Sequence, residues 1–144
     1  MVAYGTSQYA AARALREAVL RRPLGLTLSA QDVQGEQDQL HYGMFDARGA
    51  ALACVSVALG DAGRARVRQM AVAAALQGRG LGRALLQAVE ADLRARGVRE
   101  LMLHARLQAV GFYRRQGYRV VGEPFLEVGM PHRRMAKRLP EGEP

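Results

Sequence analysis

The chain has 144 residues, room for one domain rather than two, and at this size folding buries about 68–70% of the surface the unfolded chain exposes, so a hydrophobic core needs no staples. Cys54 is the single cysteine, which excludes an intramolecular disulfide framework and a Cys-based zinc cluster and fits a reducing compartment, the cytoplasm. The formal charge is +8, from 21 Lys and Arg against 13 Asp and Glu, yet the arginines are scattered and aromatics are only 6% of the chain, unlike the clustered cations and stacking rings of a nucleic-acid-binding surface.

From the N-terminus, Val2 to Tyr4 reads as a short strand, and Met1-Val2-Ala3-Tyr4 lacks the basic and apolar segments of a secretory signal. Ala11, Leu15, Ala18 and Val19 recur at helical spacing and predict a helix from about Gln8 to Arg22, with Ser7 as its N-cap and Pro23 as its end. Leu24 to Gln39 reads as a loop with a short second helix. Leu40 to Asp46 and Ala51 to Leu59 flank Ala47-Arg48-Gly49 and predict a β-hairpin. The run Ala50 to Leu59 is too short to span a bilayer, so no membrane helix is expected. After Gly60-Asp61-Ala62-Gly63, a third strand covers Arg64 to Val72.

Gly80 to Arg96 reads as a helix with Leu81, Leu85, Leu86, Val89 and Leu93 on one face and Gly97 as its stop. Glu100 to Ala105 is a strand, Ala109 to Gln116 a short helix, and Tyr118 to Phe125 and His132 to Leu139 are the last strands, leaving Pro140 to Pro144 as a flexible tail. This order predicts a single α/β domain over residues 1–139 with a mixed, mostly antiparallel sheet flanked by helices.

The most informative stretch is Met70-Ala71-Val72 followed, after a short connection, by Gln77-Gly78-Arg79-Gly80-Leu81-Gly82-Arg83 at a helix start. Unpaired N–H groups and the positive end of the helix dipole suit phosphate oxygens there, and glycine lets them approach the main chain. An ordinary glycine turn is the alternative. A Walker A loop is excluded because it needs a lysine, and the dinucleotide fingerprint fails because its last position falls on Arg83.

The pattern Q-x-x-G-x-G at Gln77 to Gly82, with Ala109-Val110-Gly111-Phe112-Tyr113-Arg114-Arg115-Gln116-Gly117-Tyr118 some thirty residues later, resembles the GNAT superfamily of acetyl-CoA-dependent N-acetyltransferases. The segment Phe125-Leu126-Glu127-Val128-Gly129-Met130-Pro131-His132-Arg133-Arg134-Met135 is similar to a subgroup of small bacterial members. The resemblance implies a GNAT-like fold and transfer of an acetyl group from acetyl-CoA to a primary amine. It further implies that Met70, Ala71 and Val72 lie along the pantetheine arm, that the N–H of Val72 polarises the thioester carbonyl, and that Gln77, Gly78, Arg79, Gly80, Leu81, Gly82 and Arg83 cradle the pyrophosphate. In the family the strand carrying Met70 bulges away from its parallel neighbour, many relatives have an amide side chain where this chain has Arg106, and dimers are common. A homodimer is therefore possible here.

Tyr113 matches the family position of a tyrosine beside the coenzyme sulfur, where a phenol can protonate the leaving thiolate. Phe112 and Tyr118 are assigned to the core. Glu127 and His132, bracketing a glycine-proline turn on the acceptor side, are the candidates for taking up the amine's proton, with His104 a further one. Arg64 and Arg66 read as solvent-facing charge, and Cys54 as a small core residue. The spacing of His41, His104 and His132 predicts no metal site. A non-catalytic acyl-CoA-binding or sensor module is the second reading, and the motifs leave the acceptor open among a metabolite, an antibiotic, a protein N-terminus or a lysine.

Overall fold

The computed structural model describes residues 1–140, so the expected tail lies outside them beyond Pro140. Helix α1, Ser7–Arg16, is capped not by Ser7 but by Thr6, whose hydroxyl accepts the Tyr9 N–H at 3.3 Å. Thr6 is extended at φ −89, ψ 170, the geometry an N-cap needs, while Ser7 is already helical. The helix does not run unbroken to Arg22. It widens into a π-turn at Glu17–Arg21, then tightens into a 3-10 turn at Arg22–Leu24 with Gly25 left-handed at φ 73. The expected first strand amounts to one bridge, Val2 to His41, and the expected second helix to a single turn, Glu36–Asp38.

Six strands follow the predicted order: β1 Leu40–Phe45, β2 Ala51–Leu59, β3 Arg64–Val72, β4 Glu100–Arg106, β5 Arg119–Glu127 and β6 Met130–Arg138. Helices α2 Leu81–Ala95 and α3 Val110–Arg115 flank β4 in sequence. The strands hydrogen-bond in the order β1-β2-β3-β4-β6-β5. The pairs β1/β2, β4/β6 and β5/β6 are antiparallel, and β3/β4 is parallel.

By internal packing the chain forms two compact units, Met1–Leu59 with Arg68–Val89, and Gly60–Val67 with Glu90 onward, so that β3 contributes to both. In the first, Ala12 and Leu15 of α1 pack with Cys54 of β2 and Ala71 of β3. Cys54 is 2% exposed, as its place in an apolar strand predicts. Burial pushes its thiol up to about 12, which removes it as a nucleophile at neutral pH.

In the second unit Leu101, Leu103 and Ala105 alternate inward along β4 and are buried together with Leu93 and Met135, while Met102, His104 and Arg106 take the other face. A buried carboxylate, Glu90, accepts 2.7 Å bonds from the Tyr118 hydroxyl and the Lys137 ammonium, and Lys137 also reaches the Gln116 carbonyl at 2.7 Å. The only lysine of the chain thus ties α2, the end of α3 and β6 together. Strand β5 is mostly exposed, and its register breaks between Val121 and Phe125, around Gly122 at φ 78 and Pro124. A proline is tolerated there because β5 ends the strand order.

Candidate active site

The cofactor-side candidates all fall in the first unit. The parallel β3/β4 register covers four pairs, Arg64↔Glu100 to Val67↔Leu103, and two residues further along β3 Gln69 stands at φ 53. A non-glycine residue in that region is strained. Beyond it Met70 and Val72 are half-buried and Ala71 is buried. The strand end is fastened twice: the Ala73 N–H donates to the Leu52 carbonyl at 2.9 Å, and the Gln77 side-chain amide donates to the Val72 carbonyl at 3.1 Å.

After the 3-10 turn Ala74–Leu76, Gly78 and Gly80 adopt φ +80 and +82, conformations in which a side chain is strained, and a Cβ on either would meet nothing within 4 Å. The first bond of α2 runs from the Ala84 N–H to the Gly80 carbonyl at 3.0 Å. The N–H groups of Leu81, Gly82 and Arg83 therefore have no helical carbonyl behind them. Gln77, Gly78, Arg79, Gly80 and Arg83 are exposed, and Leu81 and Gly82 half-buried. An open glycine main chain with unspent N–H donors and two arginines fits a pyrophosphate.

The proton-handling candidates lie in the second unit. Tyr113 is 8% exposed in α3, with its ring edge-on to Phe112 and Tyr118 at centroid distances of 5.1 and 5.6 Å. Burial raises its phenol to about 12, so it keeps its proton throughout the neutral range. Tyr118 is core as expected, whereas Phe112 is only half-buried.

Glu127 and His132 are not turn residues. Glu127 closes β5 and His132 is the third residue of β6, and the turn between the strands is the pair Val128-Gly129 at φ 46 and 73, a tight hairpin with both central residues left-handed. The hairpin brings the two side chains together, with His132 Nε2 3.5 Å from Glu127 Oε2. His132 Nδ1 is 2.8 Å from the Met130 carbonyl. Two residues join them from other strands. His104 Nδ1 lies 3.0 Å from Glu127 Oε1, and the Arg66 guanidinium lies 2.9 Å from the same Nδ1 and 3.9 Å from Glu127 Oε1. Phe125 packs edge-on to His104 at 4.8 Å. Arg66 is therefore engaged within the cluster rather than only solvent-facing as expected; Arg64 faces solvent at 73% side-chain exposure, with its Nε 3.9 Å from Glu100 Oε1. Among the described residues no three His, Cys, Asp or Glu side chains are grouped to hold a metal ion.

A GNAT acetyltransferase domain matches residues 26–139. The chain belongs to the GNAT acetyltransferase family. A provisionally assigned N-acetyltransferase of Lactobacillus plantarum has the same fold, with a TM-score of 0.85 and 28% identity over 95% of this chain and 94% of that one. An acyl-CoA N-acyltransferase of Pseudomonas aeruginosa gives 0.76 and 25% over 91% and 90%. An aminoglycoside 6'-N-acetyltransferase complexed with coenzyme A, at 15% identity over 91% of this chain and 93% of that one, gives 0.72 and shares the fold alone. The uncharacterised protein YyaT of Bacillus subtilis is 43% identical over 37 residues, so the match spans only 26% of this chain and 25% of that protein. Among the described residues of this GNAT chain no helix is long and apolar enough to cross a membrane.

A polar cluster in the first unit of this GNAT domain has no counterpart among the sequence-derived candidates. Glu36, fully buried, accepts from both guanidinium nitrogens of Arg16 at 2.7 Å, from the Tyr9 hydroxyl at 2.6 Å and from Arg68 at 3.2 Å. Burial alone would raise its carboxyl, but the bonds from Arg16, Tyr9 and Arg68 outweigh it and hold the group at about 2. Arg68 also reaches the Gln39 side chain and the Asp32 carbonyl. Asp32 is itself lowered to about 2, chiefly by Arg21. These contacts join residues 11 to 36 positions apart, and local spacing carries no signal for them.

Proposed function

We propose that the protein transfers an acetyl group from acetyl-CoA to a primary amine by direct attack. The observation that carries this is the open glycine start of α2, with Gly78 and Gly80 left-handed and exposed beside Arg79 and Arg83, directly after the fastened strand end Met70–Val72. Main-chain donors from Gln77 to Arg83 hold the pyrophosphate, Met70, Ala71 and Val72 run along the pantetheine arm, and the Val72 N–H polarises the thioester carbonyl. Glu127 takes the proton that the amine loses as its nitrogen bonds the acetyl carbon, and His132 shares it. Tyr113 gives its proton to the departing sulfur and regains one from water. Membership of the family supports this division of labour, as do the open glycine main chain beside two arginines and the pairing of Glu127 with His132 and His104.

The test is calorimetric and kinetic. Acetyl-CoA at a hundred times its Kd stabilises the native state by about 2.7 kcal/mol, which for a chain of this size raises Tm by about 8 °C. Gly80→Asp, which adds a charged side chain at a left-handed position, abolishes the shift. An equal response in both proteins removes the glycine loop as the site. Release of free coenzyme A thiol that depends on an added amine distinguishes an enzyme from an acyl-CoA-binding module, which binds without turnover.

A further inference from the structure

Two contacts in the second unit converge on one nitrogen atom and make opposite demands on it. Arg66 Nη2 lies 2.9 Å from His104 Nδ1, and a guanidinium N–H can only donate, so this bond needs the Nδ1 lone pair. Glu127 Oε1 lies 3.0 Å from the same Nδ1, and an ionised carboxylate can only accept, so that bond needs a proton on Nδ1. With Glu127 ionised the two cannot coexist. With the proton on Glu127 Oε1 they can, because the acid O–H and the guanidinium N–H then both turn toward the lone pair.

We propose that Arg66 and His104 are positioning residues that prepare Glu127 to receive a proton. Arg66 holds His104 as the neutral ring protonated at Nε2, and the Nδ1 lone pair waits beside Oε1 for the O–H formed when the carboxylate is protonated. Glu127 is then left without a hydrogen bond from His104 in its ionised form and gains one on taking up the proton. The other oxygen is arranged in the same sense. His132 Nδ1 sits 2.8 Å from the Met130 carbonyl, which can only accept, so the proton of the neutral ring is on Nδ1 and its Nε2 lone pair faces Glu127 Oε2 at 3.5 Å.

The charged groups paired directly with the two histidines are Arg134, the cross-strand partner of His104, and Arg106, the cross-strand partner of His132; Glu100, Arg138, Arg64 and Arg119 share the face at more distant register positions. A guanidinium only donates hydrogen bonds, so neither Arg134 nor Arg106 competes for the proton. Phe125, edge-on to His104 and 5.9 Å from His132 between ring centres, closes the cluster with an apolar wall. His104 side-chain exposure is 17% and that of His132 is 4%, so the two rings are largely shielded, while Glu127 keeps 41% of its side chain open to solvent.

The effect on rate rests on the reading of Glu127 as the proton acceptor, but the tautomer does not, and the experiment separates them. In nitrogen-detected NMR of the wild-type imidazoles at neutral pH, His104 shows an unprotonated Nδ1 and a protonated Nε2. In Arg66→Met the proton moves to Nδ1, where it donates to Glu127, and kcat falls by about tenfold with unchanged affinity for acetyl-CoA. Arg66→Lys, which retains a donor, keeps the wild-type tautomer and most of the rate. A wild-type His104 protonated at Nδ1, or a tautomer indifferent to Arg66→Met, overturns the proposal, and the wild-type spectrum decides even if the methionine variant does not fold. Glu127→Gln with full kcat would instead remove Glu127 as the base while leaving the tautomer result intact.

Discussion

Tyr113 has the protonation state an acid needs. Desolvation by burial takes its phenol from about 10 to about 12, so at neutral pH the proton is present and the O–H can stabilise a leaving thiolate by donating a hydrogen bond to it. Tyr113→Phe keeps the ring packing against Phe112 and Tyr118 and removes only the hydroxyl. The expected outcome is an unchanged Kd for acetyl-CoA with kcat lower by on the order of 100-fold, measured by thiol release under saturating amine. An unchanged kcat returns Tyr113 to the core. At this scale the sequence exposes a residue when its partners are close in the chain. Glu127 and His132 could be paired because only five positions separate them, whereas Arg66 and His104 meet across 38 positions and Tyr9 and Glu36 across 27. Such meetings depend on strand register and loop path, which periodicity does not encode.

Elements were legible wherever a hydrophobic period or a glycine marked them. The six later strands and α2 stand within a few residues of their expected bounds, since Leu85, Leu86, Val89 and Leu93 set the helix face and alternation sets the strands. Misplaced features were those decided by backbone detail: the cap at Thr6, the π-turn after Arg16, and the hairpin turn at Val128-Gly129 rather than the longer Glu127–His132 segment. That turn carries a prediction of its own. Val128 is β-branched yet stands at φ 46 with 38% of its surface exposed, so it is strained and buries little. Val128→Asn, which suits the left-handed region, should stabilise the protein by about 0.5–1 kcal/mol, read as a higher denaturant midpoint at unchanged m-value. A lower midpoint would mean that the valine's contacts outweigh its strain.

For the molecule as a whole, the acid limb of stability is set in the first unit, by carboxylates that the sequence shows only as part of a polar loop. Glu36 is held at about 2 against an ordinary 4.5, and Asp32 at about 2 against 3.8. A carboxyl lowered on folding contributes stability that is present in full above its unfolded value and is lost as pH falls toward its folded one, so the window runs from about 5 down to about 2. For Glu36, the lowering from 4.5 to about 2 corresponds to about 3 kcal/mol. Glu36→Gln cannot serve Arg16 as a charge partner and leaves that buried guanidinium, 2% exposed, poorly compensated, which costs about 3–5 kcal/mol at neutral pH. The variant should therefore be less stable than wild type at pH 7 yet lose less on acidification, its remaining slope coming from Asp32 and the other carboxylates. Denaturant unfolding at pH 7, 4 and 3 measures both quantities. Parallel pH dependences in the two proteins would show that the Glu36 cluster, despite four hydrogen bonds to one buried carboxylate, does not couple folding to protons.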